Sequence, residues 1–194
     1  MAIEFELKFR ATPAILAQMQ QELSGPQQTI SMETTYYDTS DRALSHRHIT
    51  LRRRMENENS VCTLKYPIPG NRGRGEIEIL RNSIEEAIPE LCKLSKLPEL
   101  PILVAPGVVP VCGAKFNRIA ITVALPDCTV EIALDEGFLL GGGKAIPLCE
   151  AEVELKSGTQ QAAEAYALSL QKTYNLVPER QSKFRRASLL AEEM

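Results

Sequence analysis

Charged residues recur at every second position in six stretches: Glu4-x-Glu6-x-Lys8, Arg52-x-Arg54, Thr63-x-Lys65, Arg74-x-Glu76-x-Glu78, Glu131-x-Ala133-x-Asp135 and Glu150-x-Glu152-x-Glu154-x-Lys156. In an extended chain, alternate side chains share one face, so each set projects as a group. Two or three carboxylates on one face raise each other's ionisation cost unless a cation neutralises them. Hard divalent ions such as Mg²⁺ or Mn²⁺ do this with oxygen ligands alone, which suits a chain whose only histidines are His46 and His48. The interleaved Lys and Arg residues offer point charges and bidentate forks that match phosphate oxygens. Carboxylates for a metal beside cations for phosphate point to a short linear polyphosphate.

Strands must carry these sets. Residues 3–10 alternate Glu4, Glu6 and Lys8 with Ile3, Phe5, Leu7 and Phe9, which is strand periodicity. Similar runs recur at 28–38, 49–55, 61–66, 75–81, 114–125, 129–140 and 145–157, most of them separated by turn signals such as Pro67-Ile68-Pro69-Gly70 and Gly141-Gly142-Gly143. Helices are expected at 13–23, where Thr12-Pro13 starts a segment with Ile15, Leu16, Met19 and Leu23 at helical spacing, and at 83–94 and 159–174. The Pro- and Val-rich stretch 98–111 fits a loop or part of a strand. The fold class is mainly β (α+β): a closed or nearly closed eight-stranded antiparallel barrel with a few external helices. Apolar residues on the second parity would pack under those helices, which places the charged parity in the lumen.

At 194 residues and 44% hydrophobic, the chain suits one soluble domain spanning 1–194. No run approaches the length needed to span a bilayer, and the N-terminus is charged from Glu4. The five cysteines form no C-x-x-C pair, which indicates neither a disulfide framework nor a zinc site. A cytoplasmic protein without membrane association is expected. The net charge of −3 argues against a general nucleic-acid surface, although Arg52-Arg53-Arg54 and Lys183-Phe184-Arg185-Arg186 concentrate positive charge.

The N-terminal Glu4-Phe5-Glu6-Leu7-Lys8 resembles the E-x-E-x-K signature of the CYTH, or triphosphate tunnel metalloenzyme, superfamily. Tyr36-Tyr37-Asp38-Thr39 followed by Leu44, Leu51-Arg52-Arg53-Arg54, Thr63-Leu64-Lys65, Gly75-Glu76-Ile77-Glu78, the strand from Glu150 to Lys156, and Ser182-Lys183 follow in the family's order over nearly the whole chain.

That resemblance implies an eight-stranded tunnel, a triphosphate held by Arg and Lys, and one or two Mg²⁺ or Mn²⁺ ions held by glutamates. Carried over by position, Glu4, Glu6, Glu150 and Glu152 lead as metal ligands, followed by Glu76 and Glu78. Glu154 joins the set at lower rank with Glu131 and Asp135, which could instead pair with Arg118, Arg74 or Lys156. Lys8, Arg52, Arg54, Lys65, Arg118 and Lys183 would grip phosphate, with Arg74 and Arg185 as further candidates. Glu78 or Glu152 would orient the water, and Lys65 would act beside them as a catalytic cation. The Glu-rich strand and the Ser182-Lys183 ending look most like bacterial inorganic triphosphatases. The alternatives are a thiamine triphosphatase, an adenylate cyclase of the class IV type, or a polyphosphate or nucleotide sensor without turnover. A homodimer is left open.

Overall fold

The computed structural model describes residues 5–68 and 74–192. The expected strand start at Ile3 and Glu4, and the turn signal at Pro69-Gly70, lie outside these. Strands β1 (Glu6–Arg10), β2 (Gln27–Asp38), β3 (Thr50–Glu56), β4 (Asn59–Pro67), β5 (Arg74–Leu80), β6 (Val109–Ala124), β7 (Cys128–Gly141) and β8 (Lys144–Gly158) correspond to the eight expected from alternation. A ninth strand, β9, comprises only Val177–Pro178.

All nine join one antiparallel sheet in the order β5-β4-β3-β2-β6-β7-β8-β1-β9. The expected closed or nearly closed eight-stranded barrel is thus corrected, among the described residues, to an open nine-stranded sheet. Closure would need β5 to reach the free edge of β1, and β9 already pairs there through Phe9↔Pro178 and Arg10↔Val177. The Glu179 N–H extends the bridge to the Lys8 carbonyl at 2.8 Å.

Helix α1 (Pro13–Glu22) starts at Thr12, whose hydroxyl accepts the Ile15 N–H, and Pro13 occupies a first-turn position where no N–H is needed. Ser83 and Thr159 cap α2 (Ile84–Ser95) and α4 (Gln160–Thr173) in the same way. Two helices were not expected. The five-residue α3 (Leu100–Val104) lies in the Pro-rich stretch, and α5 (Lys183–Glu192) opens with the basic cluster.

The apolar parity faces the outer helices. Leu16 and Met19 of α1 and Ala163, Ala167 and Leu170 of α4 bury Phe9, Val130, Ile132, Ala151 and Val153. On the other limb, Ile84, Ala87 and Leu91 of α2 and Leu100 and Val104 of α3 cover Leu51, Cys62 and Leu64. Helix α5 sits on the inner face, where Ala187 and Leu190 pack with Met32, Tyr36, Ala114, Phe116 and Leu139. Its seat is the turn after β7: a Cβ on Gly141 would lie 2.3 Å from the Ala187 carbonyl oxygen, so only glycine lets the helix backbone come this close. The charged parity is left facing a cavity of about 1200 Å³ that α5 borders.

Candidate active site

One wall of the cavity comes from β1, β8 and β7. Register places Glu6 opposite Glu154, and Glu154 opposite Glu131, so three carboxylates form a row across three strands. Like charges directly opposite one another destabilise a sheet. Two lysines offset the row: Lys8 Nζ lies 3.2 Å from Glu6, and Lys156 Nζ lies 2.8 Å from Glu154 and 3.5 Å from Glu131. Burial works against the charge on Lys156, but the two glutamates more than offset this and raise its pKa.

The other limb supplies cations. Arg52 and Arg54 on β3, Lys65 on β4, and Glu76 and Glu78 on β5 all line the same cavity. Lys65 Nζ is 3.1 Å from Glu76, and Arg52 lies 3.6 Å from Glu76 and 3.5 Å from Glu78. Arg54 is buried, donates to the Thr34 hydroxyl at 3.3 Å, and is 3.5 Å from Glu56. Burial, followed by the charges of Arg52 and Arg118, holds its pKa below the ordinary value. A guanidinium in that setting is stabilised by an incoming anion. Arg74 is a strap across this limb: its NH2 group donates to the carbonyls of His48 at 2.7 Å and Lys65 at 3.1 Å, and to the Thr50 hydroxyl at 3.2 Å.

Further along β7 and β8 lies a buried acidic cluster in which carboxylate oxygens of Asp135, Glu150 and Glu152 fall within 4.8 Å of one another. Lys183 of α5 enters its centre, with Nζ 2.6 Å from Glu150, 2.8 Å from Glu152 and 2.9 Å from Asp135. Arg118 grips Asp135 with two bonds of 2.7 Å and reaches Glu152 at 2.7 Å, while Arg186 pairs with Glu150. Three carboxylates are thus matched by three cations. Burial opposes the charges of Glu152, Lys183 and Arg118, but their partners reverse its effect. Lys183 and Arg118 depress the Glu152 pKa well below the carboxylate range, and the carboxylates hold Lys183 and Arg118 above their ordinary values.

Of the residues singled out by spacing, Glu6, Lys8, Arg52, Arg54, Lys65, Arg74, Glu76, Glu78, Arg118, Glu152, Glu154, Lys183 and Arg185 all line the cavity. Glu4 lies outside the described residues. Glu150 is fully buried under α5 and is not part of the lining. Arg185 is exposed and lies 3.5 Å from Glu192 on its own helix. Asp135 pairs with Arg118, one of the partners expected for it, and also with Lys183. Two features escaped the sequence. Arg186 belongs to the network, and its spacing of three from Lys183 on a helix was the available signal. The turn between β2 and β3 brings Arg42, Ser45, His46 and His48 to the cavity.

Residues 2–188 match the CYTH domain. The chain belongs to the CYTH domain family. Over 165 residues it is 30% identical to the inorganic triphosphatase of Haemophilus influenzae, which takes in 81% of this chain and 46% of that protein, so the chain spans about half the length of this relative. Among solved structures, a Hippeastrum protein named for adenylyl cyclase and described as having a dominant triphosphatase activity superimposes with a TM-score of 0.67 at 17% identity, covering 98% of this chain and 97% of that one. A Bacillus halodurans protein named for adenylate cyclase gives a TM-score of 0.64 at 14% identity, covering 95% and 96%. At such identities these two likenesses establish the CYTH fold, and the reaction has to be argued from the site.

Proposed function

We propose that this CYTH chain hydrolyses inorganic triphosphate to diphosphate and phosphate with Mg²⁺ or Mn²⁺ as cofactor. The observation that carries this reading is the division of one cavity into a carboxylate row, Glu6-Glu154-Glu131, and a cationic limb, Arg52-Arg54-Lys65. The 30% identity to the Haemophilus triphosphatase supports it.

The carboxylate row offers a hard divalent ion oxygen donors on three adjacent strands, with Lys8 and Lys156 beside them, although among the described residues the carboxylate oxygens that converge within 4.8 Å are those of Asp135, Glu150 and Glu152. The buried cluster fits an ammonium ion instead, because Lys183 already occupies its centre. Glu6 and Glu154, with Glu131 added, are therefore the ligands of choice, and Glu150 and Glu152 anchor α5. A divalent ion held by the row would offset charge on phosphate oxygens and lower the pKa of a bound water.

The chain's own residues do the rest. Arg52, Arg54 and Lys65 bind the phosphate oxygens and stabilise charge on the departing diphosphate as the bond to the terminal phosphorus breaks and water adds. Glu78 is the better candidate to orient that water and accept its proton. It is half exposed to the cavity and accepts from the Thr63 hydroxyl at 3.1 Å, whereas Glu152, with its depressed pKa, is a weak base.

The test is phosphate release from inorganic triphosphate, thiamine triphosphate and ATP in parallel, with Mg²⁺, Mn²⁺ or excess chelator. Metal-dependent release that is fastest from inorganic triphosphate is expected. Cyclic AMP from ATP would replace the reading with a lyase, and binding without any product would replace it with a sensor.

A further inference from the structure

The Tyr36-Tyr37-Asp38-Thr39 segment and Leu44 have no part in the walls described above, yet Asp38 is fully buried. Its Oδ1 accepts the backbone N–H groups of Thr39 at 2.8 Å and Leu44 at 2.9 Å. Its Oδ2 accepts the Ser45 N–H at 3.1 Å and the Ser45 hydroxyl. A buried carboxylate is costly unless its oxygens are hydrogen-bonded, and here one loop supplies all four donors. The bonds draw residues 39–45 around Asp38, while Leu44 and Ile49 tuck into the core under α2 and α3.

That turn holds Arg42 in the left-handed region, at φ 61°, where arginine is uncommon. Its N–H donates to the Thr39 carbonyl at 3.0 Å, and its carbonyl accepts the His46 N–H at 3.0 Å. The side chain lines the cavity together with Phe184 of α5, and Tyr36, at the end of β2 from which this turn departs, holds its ring 5.1 Å from that of Phe184. Arg42 therefore sits at the end of the cavity that α5 borders. Among the described residues its guanidinium has no ion pair, while Arg52, Arg54 and Arg118 each face a carboxylate. A backbone held in a rare conformation, aiming into a cavity a cation that no carboxylate of the described residues pairs, is what an anion-binding position requires.

We infer that Arg42 is a further substrate-binding residue, held in place by Asp38 as a positioning residue, and that it takes the phosphate group nearest α5 when a triphosphate fills the cavity. The inference rests on the triphosphate reading above. It assigns the contact to a loop rather than a strand, so substrate length is sensed where the sheet ends.

The experiment is calorimetric titration of the full chain with inorganic triphosphate and with diphosphate in excess chelator, where turnover cannot intervene. The proteins are wild type, Arg42→Gln, Asp38→Asn and the double variant. Arg42→Gln should weaken triphosphate binding about tenfold and diphosphate binding less than twofold. Asp38→Asn should weaken triphosphate binding in the wild-type background and add nothing in the Arg42→Gln background, a non-additivity that general loosening would not produce. An Arg42→Gln variant within twofold of wild type for triphosphate, or one that loses both anions equally, overturns the assignment even if Asp38→Asn fails to fold. A wild-type chain that binds neither anion in chelator overturns the role of Arg42, and one that also releases no phosphate from triphosphate with Mg²⁺ or Mn²⁺ removes the triphosphate reading itself.

Discussion

Lys183 Nζ lies 2.8 Å from Oε1 of Glu152, and the other oxygen of that carboxylate accepts from Arg118 at 2.7 Å. Glu152 is thus held from two directions, by a helix and by a strand. Lys183 gives α5 its electrostatic anchor, since the same ammonium also meets Asp135 and Glu150, and both ions lie over or beside Phe116, whose ring is 5.4 Å from Lys183 and 5.8 Å from Arg118. The consequence for chemistry is a division of labour between two acidic groups. The buried cluster holds the helix, and in the proposed reaction the partly exposed row on β1, β8 and β7 would meet the substrate's counter-ion.

Removing Lys183 leaves three buried carboxylates with two cations. Breaking a buried pair from one side costs about 3–5 kcal/mol, because the charge left behind stays desolvated. Lys183→Met should therefore lower the urea midpoint by a margin of that order. It should also make α5 sensitive to limited proteolysis while the rest of the sheet remains protected. A midpoint within error of wild type would mean that α5 is held by Ala187 and Leu190 alone.

The same network sets a pH dependence. Glu152 has a lower pKa folded than unfolded, so its contribution to stability is complete above the ordinary carboxylate value of 4.5 and is lost as pH falls towards the depressed folded value. Lys183 behaves oppositely. Its folded pKa is raised, so its contribution is complete below the ordinary 10.5 and is lost as pH rises through the folded value. Between those limits Glu152 and Lys183 should contribute no slope to a plot of unfolding free energy against pH. Lys183→Met, which removes one cause of the Glu152 depression, should make the acid limb shallower. An acid limb of unchanged steepness would separate Glu152 from the acid response.

Much of this arrangement was legible because a strand's period of two sorts residues without knowledge of the fold. Lys8, Arg52, Lys65, Glu78 and Glu154 each reached the cavity face that parity assigned to them. Parity does not reveal what lies above a position. Glu150 shares the parity of Glu152, yet it is sealed beneath α5, and only tertiary packing decides that. Helix α5 was hidden because Lys183, Phe184, Arg185 and Arg186 read as a basic run, while the stripe that matters, Lys183, Ala187 and Leu190, mixes a charge with apolar residues. The open sheet was equally hidden. It depends on Val177 and Pro178 taking the edge of β1, and two residues carry no periodicity.

The glycine turn that seats α5 gives an independent check on the helix. A Cβ at Gly141 would lie 2.3 Å from the Ala187 carbonyl oxygen and 3.1 Å from the Leu190 Cβ, so the helix must move to accept it. Gly141→Ala should cost about 1–3 kcal/mol in chemical denaturation, the usual range for overpacking. Gly143 has φ 71° but nothing within 4 Å of its Cβ position, so Gly143→Ala should cost only the backbone strain, about 1 kcal/mol. A loss at Gly141 no larger than that at Gly143 would show that α5 gives way to the added methyl group and that the close approach is not needed for its packing.

The two acidic groups make opposite predictions for metal. If the row on β1, β8 and β7 holds the divalent ion, Glu6→Gln and Glu154→Gln remove ligand charge from half-exposed positions where the glutamine still fits. The Mn²⁺ concentration giving half-maximal triphosphate turnover should then rise at least tenfold, with the unfolding midpoint within about 1 kcal/mol of wild type, as expected for partly exposed ion pairs. Glu152→Gln should show the reverse balance. It removes a carboxylate bonded to both Lys183 and Arg118, so the unfolding midpoint drops, while the metal requirement of the protein that remains folded stays near wild type. Titrating Mn²⁺ against turnover, with a denaturation curve for each variant, measures both quantities. If Glu152→Gln shifts the metal requirement and Glu6→Gln does not, the ion binds in the buried cluster. Lys183 would then have to leave its three carboxylates for catalysis to begin.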